Sequence, residues 1–267
     1  MRIIVFHLPH PMGNYKLNQI LADKLSDEGH EVYCIEQLNI MGTGILKENF
    51  RNEIKNYKDK WYNSVITNSL DVYDLLKNEV ETIEHFEYYF CALKDSELIV
   101  NERYEHDCVF LGQGHHRLQM SEFTKEMNTY FKPQHKFDFK VYGSGWPQGG
   151  IFKGVLPADD IGSLYSSAKC GVSVIEPEQY NNGMINNRYV ELGYCETPII
   201  TFQYPNIDWY GAESFLNVIN SYDDFKNIVN KCINKDNNII KKTEGMRTFI
   251  ENQHKMYFEK LNNLIYG

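Results

Sequence analysis

Arg188 and Glu191 stand three residues apart, just after a loop that begins at Gly183 and runs through Met184, Ile185 and Asn186. The pattern predicts a loop that opens into a helix near Asn187, then a buried strand at Pro198-Ile199-Ile200-Thr201-Phe202. A helix start leaves backbone N–H groups without partners, and a phosphate can bind there. Three-residue spacing puts Arg188 and Glu191 on one helix face. An arginine grips a diphosphate as a fork, and a carboxylate accepts hydrogen bonds from the two hydroxyls of a ribose. Gly183, Asn187, Arg188 and Glu191 together suit a nucleoside diphosphate. The same spacing also makes an ordinary ion pair on a helix surface, so the flanking elements decide between the two.

A second group is basic. Lys47, Arg51, Lys55 and Lys58 follow spacings of four, four and three, which on a helix make one stripe, with Trp61 and Tyr62 just beyond. Such a stripe can meet nucleic-acid phosphates. It also fits a plain solvated face, because Glu48, Glu53 and Asp59 are interleaved. A net charge of −9 over 267 residues argues against nucleic acid as a default partner. The six cysteines, Cys34, Cys91, Cys108, Cys170, Cys195 and Cys232, form no CxxC pair. Most lie in apolar segments, which predicts buried free thiols in a reducing compartment and no zinc. No apolar run is long enough to span a membrane, and the residues after Met1 do not make a secretory signal. The expectation is a cytoplasmic protein with no membrane partner, acting as a monomer.

The elements that position these residues read as α/β. Ile3 to His7 is a strand, followed by a loop holding His10 between Pro9 and Pro11. Leu17, Ile20, Leu21 and Leu25 make an amphipathic helix closed by Gly29, and Val32 to Ile35 a second strand. The basic helix is expected over 45–62, a strand at Ser64–Thr67, a helix at Asp71–Asn78 and a strand at Phe86–Phe90. Residues 92–106 are polar and aperiodic, the best linker. A second α/β unit follows. Its first strand is Cys108–Leu111, with a turn over Gly112–Arg117, a helix at 118–131 and a strand at 137–142. A short strand and turn lie at Ile151–Pro157, a helix capped by Asp159 or Asp160 runs to Ala168, and 171–175 is a strand. Ser221 caps a helix over 222–234, and a long helix ends the chain. The order βαβαβ occurs twice, so two nucleotide-binding-like halves should face a cleft.

The second half resembles a known family. Phe110-Leu111-Gly112-Gln113, Val141-Tyr142-Gly143, Phe152-Lys153-Gly154-Val155-Leu156-Pro157 and the Asn186-Arg188-Glu191 helix fall in the order found in GT-B glycosyltransferases. The resemblance is to the T-even-type phage DNA β-glucosyltransferases and to the CgeB-like glycosyltransferases, over roughly residues 83–235. It implies a GT-B fold, with an N-terminal Rossmann-like acceptor domain over 1–105 and a C-terminal nucleotide-sugar domain over 106–267. The last helix would be able to pack back on the first domain. It implies that Arg188 binds the diphosphate and Glu191 the ribose, with Gly112, Gly183 and Asn187 in the same site. Arg117 would be a second phosphate ligand, and the backbone around Leu156 would meet the uracil edge.

The chain departs from the family before the strand at Val65. Only about thirty residues separate it from Ile35, where the DNA glucosyltransferases have more, including their acidic base. The N-terminal domain is therefore shortened. Asp95 and Glu97 are the nearest acids, in the expected linker. His10 is the alternative, since some other GT-B enzymes use a histidine after the first strand. An imidazole can take a hydroxyl proton near neutral pH. A plain loop histidine fits the sequence as well.

These readings combine into transfer of a sugar from a UDP-sugar to a hydroxyl. The favoured acceptor is a 5-hydroxymethylpyrimidine in phage DNA, contacted through Lys47, Arg51, Lys55 and Lys58. The expected partners are thus a nucleotide sugar and modified double-stranded DNA. No cofactor is obligatory, and a divalent metal would at most stimulate. Two rivals remain open: transfer to a surface glycan, spore component or small molecule, and a non-catalytic nucleotide-sugar-binding protein.

Overall fold

Ile3, Ile4, Val5 and Phe6 are residues that favour the pleated backbone, and they form the centre of β1 (Arg2–His7) in the computed structural model. The structure describes residues 2–7, 25–27, 29, 31–36, 64–67, 78, 82–85, 93, 95–119, 123–175, 187–204 and 211–266. β2 (Glu31–Glu36) pairs with β1 in parallel, with Ile3 opposite Val32. Parallel neighbours need a crossover. Residues 25–27 between them are helical, and the turn ends at Gly29, whose φ of 86° suits a residue without Cβ. β3 (Ser64–Thr67) and β4 (Thr82–His85) form a second parallel pair. β4 is described over Thr82–His85, and the strand expected at Phe86–Phe90 lies outside the described residues. The His10 loop, the basic helix over 45–62 and most of the helix over 71–78 lie outside the described residues.

The chain divides into two compact units, Met1–Ala92 with Lys255–Gly267, and Leu93–His254. The second is built on five parallel strands: β5 (Cys108–Leu111), β6 (Phe139–Tyr142), β7 (Gly171–Val172), β8 (Ile199–Phe202) and β9 (Asn217–Ile219). Their spatial order is β6-β5-β7-β8-β9. The order reverses between β5 and β7, and in sheets of this type ligands bind beyond the carboxyl ends of the strands at that point. All four residues of β8 are buried, as a strand covered on both faces must be. Thr201 faces one layer of helices, meeting the Tyr189 hydroxyl at 2.5 Å. Phe202 faces the other, with its ring 5.2 Å from Tyr130.

The expected helix over 118–131 is broken. α1 (His115–Gln119) starts earlier, as Leu118 N–H already bonds Gly114 O at 2.9 Å. α2 (Thr124–Glu126) widens into a π-helical turn, Met127–Phe131. That turn lets both Tyr130 and Phe131 face inward, onto Phe225 at 4.9 Å and Phe110 at 5.0 Å. α3 (Ile161–Ser167) follows a 3₁₀ turn at Ala158–Asp160. Asp160 does not cap it: the carboxylate instead accepts the Tyr104 hydroxyl at 2.7 Å. β7 is shorter than the strand expected over 171–175. α4 (Asn187–Tyr194) comes next. α5 (Tyr222–Ile233) is capped as expected by Ser221, whose Oγ accepts the Asp224 N–H at 3.1 Å. α6 (Asn237–Tyr266) ends the chain.

Residues 95–106, expected to lie in the linker, fold against this second unit. Tyr104 is buried, and the Asn101 N–H donates to Ser167 Oγ at 2.8 Å. Cys108, Cys170, Cys195 and Cys232 are free and buried. Burial pushes the Cys195 thiol up to about 12, so it is protonated and unreactive at neutral pH. No helix among the described residues is long and apolar enough to cross a membrane.

Candidate functional site

A contact from helix to strand marks the switch point. Arg188 of α4 donates its Nε to the carbonyl of Leu111, the last residue of β5. The guanidinium lies 5.5 Å from the Phe110 ring centroid. It also lies against Gly112: a Cβ there would stand 2.7 Å from Arg188 Nη2 and 2.8 Å from the Phe110 ring. Gly112 is glycine for that reason. Because the Nε bond fixes the guanidinium plane, the fork is held in one orientation where β5 and β7 diverge.

Glu191 is half-buried on the same helix, and Asn187 Nδ2 donates to its Oε1 at 3.3 Å. Both charges reach the buried Tyr165. Burial pushes that phenol well above its usual range; Glu191 adds to the rise and Arg188 opposes it. Three-residue spacing puts Arg188 and Glu191 on one side of α4, and both are only part-buried, unlike Tyr189, Val190, Leu192 and Gly193. The helix is anchored by the Tyr189–Thr201 bond and by Leu192, which packs so closely on Gly171 that a Cβ there would lie 2.3 Å away.

The loops after β5 and β6 are zipped together by backbone bonds. Gly112 N–H donates to Tyr142 O at 2.9 Å, and Gly114 N–H to Ser144 O at 2.8 Å. Gly143 N–H reaches Gly154 O at 2.7 Å, and Trp146 Nε1 reaches Gly112 O at 2.7 Å. Trp146 stacks on Phe152 at 5.3 Å, with planes 16° apart. Sequence reasoning missed Gly143 and Trp146 as site-building residues; the run Gly143-Ser144-Gly145-Trp146 was the available signal. Gly143 has φ 132°, and a Cβ there would fall 2.0 Å from Gly112 O. Gly143→Ala should therefore lower stability by more than about 2 kcal/mol, a Tm drop of roughly 4–8 °C or more in a thermal melt. Gly149→Ala, where φ is 88° and also strains an alanine but a Cβ meets nothing within 4 Å, should lose less. Equal drops for the two variants would contradict the zipping of these loops through Gly143.

Arg117 is placed differently from the phosphate-ligand expectation. It is 2% exposed, with its guanidinium 5.5 Å from the Phe110 ring and 5.4 Å from the Phe123 ring. Its Nη1 donates to Gln113 O at 2.5 Å. In this structure it braces the turn from below. The Leu156 side chain is buried and anchors its loop, while Val155 beside it is 60% exposed. His115 is exposed, with its ring over Gly145. Gly183, His10, Lys47, Arg51, Lys55 and Lys58 lie outside the described residues. Asp95, the reserve acid, accepts the Tyr194 hydroxyl at 2.8 Å at the other end of α4 from Arg188. Glu97 O lies against α3, where a Cβ on Gly162 would come within 2.5 Å.

Residues 119–257, just over half of the chain, match the family model described as glycosyl transferase-like. The chain belongs to this family. No curated protein matches this glycosyl transferase-like chain by sequence. Solved structures do match it. A T4 phage BGT variant in complex with UDP-glucose aligns over 100% of both chains, at 12% identity and a TM-score of 0.63. WaaG, a glycosyltransferase involved in lipopolysaccharide biosynthesis, aligns over 100% of both, at 10% identity and 0.61. HepE from Anabaena, in complex with UDP and glucose, aligns over 98% of this chain and 99% of its own, at 11% identity and 0.54. At such identities the likeness concerns the fold, which is GT-B, as expected from the sequence.

Proposed function

We propose that this glycosyl transferase-like chain moves a sugar from a UDP-sugar to a hydroxyl acceptor. The observation that carries the reading is Arg188 held over Gly112 at the strand switch point, on the helix that also bears Glu191. UDP-sugar complexes among the structural neighbours support the donor class. In the reaction the acceptor oxygen bonds to the anomeric carbon as the bond to the UDP oxygen breaks. Negative charge grows on the departing diphosphate. Arg188 and the N–H groups at the start of α4 stabilise it, and the charge on Arg117 reaches the site from beneath the loop. Glu191 takes the ribose hydroxyls, and the backbone beside Leu156 meets the uracil edge. His10 receives the acceptor proton. Asp95 is a poor candidate for that role, since Tyr194 and Arg247 engage it at the far end of α4. No metal is required for donor binding, because cationic and N–H donors neutralise the diphosphate. A calorimetric titration with UDP in the presence of a chelator tests the reading. Saturable binding is expected, and no binding would contradict it.

The favoured acceptor is a 5-hydroxymethylpyrimidine in duplex DNA, which has to be flipped out of the stack to react. The basic spacing of Lys47, Arg51, Lys55 and Lys58 and the likeness to T4 phage BGT and to a DNA-modifying β-glucosyltransferase support it. The net charge of −9 and the likeness to WaaG favour a glycan acceptor instead. Reversing two of the four basic charges should weaken binding to any DNA sequence and flatten its salt dependence, by roughly one unit in slope for each phosphate that is no longer neutralised. Retardation of hydroxymethylated DNA across a salt series reads this. An unchanged slope favours the glycan acceptor.

A further inference from the structure

Arg247 of α6 closes the carboxyl end of α4. Its Nη1 donates to the carbonyl of Tyr194, the last residue of α4, and its guanidinium lies 3.8 Å from the Tyr194 ring centroid. Its Nε donates to Glu251 Oε1 at 2.6 Å, and its Nη2 lies 3.5 Å from Asp95 Oδ1. Asp95 in turn accepts the Tyr194 hydroxyl. One guanidinium thus satisfies a helix-end carbonyl, stacks on a ring and bridges two carboxylates. A lysine ammonium has neither the planar face nor the fork to do all of this. Asp95 and Glu251 are exposed, so their ion pairs with Arg247 contribute little by themselves. The carbonyl bond and the stack carry the contact. The adjacent residue, Gly193, lets α6 come close: a Cβ there would stand 2.4 Å from Ile250 and 2.7 Å from Met246.

We infer that Arg247 is a positioning residue for the donor. It holds the carboxyl end of α4, and through that short helix it sets where Arg188 and Glu191 sit. The inference rests on the reading of α4 as the donor helix. Residues 188 and 194 are about 9 Å apart along the axis, so a small tilt at Tyr194 moves the guanidinium of Arg188 relative to Leu111. Groups that bind a diphosphate tolerate about half an ångström of misplacement.

The test compares UDP affinity in Arg247→Met, Arg247→Lys and Arg188→Ala by calorimetry, at a temperature where circular dichroism shows each variant folded. Arg247→Met is expected to weaken UDP binding about tenfold, and Arg247→Lys to restore part of the loss. A role in stability alone would lower Tm and leave the affinity of the folded protein unchanged, and that result overturns the inference. If Arg247→Met does not fold, Arg247→Lys carries the test: weakened UDP binding supports the inference and wild-type affinity overturns it. Arg188→Ala separates the two levels. Loss there with wild-type affinity in the Arg247 variants sinks the positioning role alone. Wild-type affinity in all three sinks the donor-site reading with it.

Discussion

Arg188→Ala is expected to weaken UDP binding by roughly ten- to a hundredfold, because a hydrogen bond to a charged group contributes about 1.5–3 kcal/mol. The loss should have two parts. The fork that meets the diphosphate disappears, and so does the bond to the Leu111 carbonyl that fixes it. Arg188→Lys separates them. It keeps a positive charge but loses the planar fork, so it should recover only part of the affinity. Glu191→Ala should weaken binding by a similar factor through the ribose. A deoxyribose nucleotide would then lose less in that variant than in the parent protein. Calorimetric titration with UDP measures all of these, and parent affinity in both alanine variants would remove α4 from the account.

The second large effect falls on turnover. His10→Ala should reduce the rate of sugar transfer by about 10²–10⁴-fold, the range typical of a lost general base, while UDP affinity stays close to the parent value. The motive is positional and chemical. His10 follows β1 in sequence by three residues, and α/β folds bind and transform ligands at the carboxyl ends of parallel strands. The resemblance implies an acidic base, and no acid of this sequence maps onto it. Asp95 is engaged at the carboxyl end of α4 by Tyr194 and Arg247. Turnover of His10→Ala within threefold of the parent would show that another group takes the proton.

Much of the second unit was legible because local signals agreed there. The apolar run Ile199–Phe202 announced a strand covered on both faces. Ser221 announced the start of α5, where it accepts the Asp224 N–H. The three-residue spacing of Arg188 and Glu191 placed both in one helix, and α4 contains both. What was not legible depends on pairing between distant segments. Gly143 matters because its backbone crosses Gly112 O, an approach that exists only once β5 and β6 are side by side. The family resemblance implied Arg117 as a phosphate ligand. Its place between Phe110 and Phe123 is set by tertiary packing, to which spacing is blind. Asp159 or Asp160 read as the cap, and Asp160 instead takes the hydroxyl of Tyr104, from a segment that read as the linker. The π turn at Met127–Phe131 was hidden for a similar reason: two adjacent aromatics face inward only because the facing strand and α5 offer a site to each.

The central claim is that α4 and the loop at Gly112 hold the nucleotide diphosphate. A crystal structure of the protein soaked with UDP tests it most directly. The account predicts phosphate oxygens within hydrogen-bond distance of the Arg188 guanidinium and of the first backbone N–H groups of α4, with both ribose hydroxyls on Glu191. Nucleotide density away from the carboxyl ends of β5 and β7, with Arg188 making no contact to it, would contradict it.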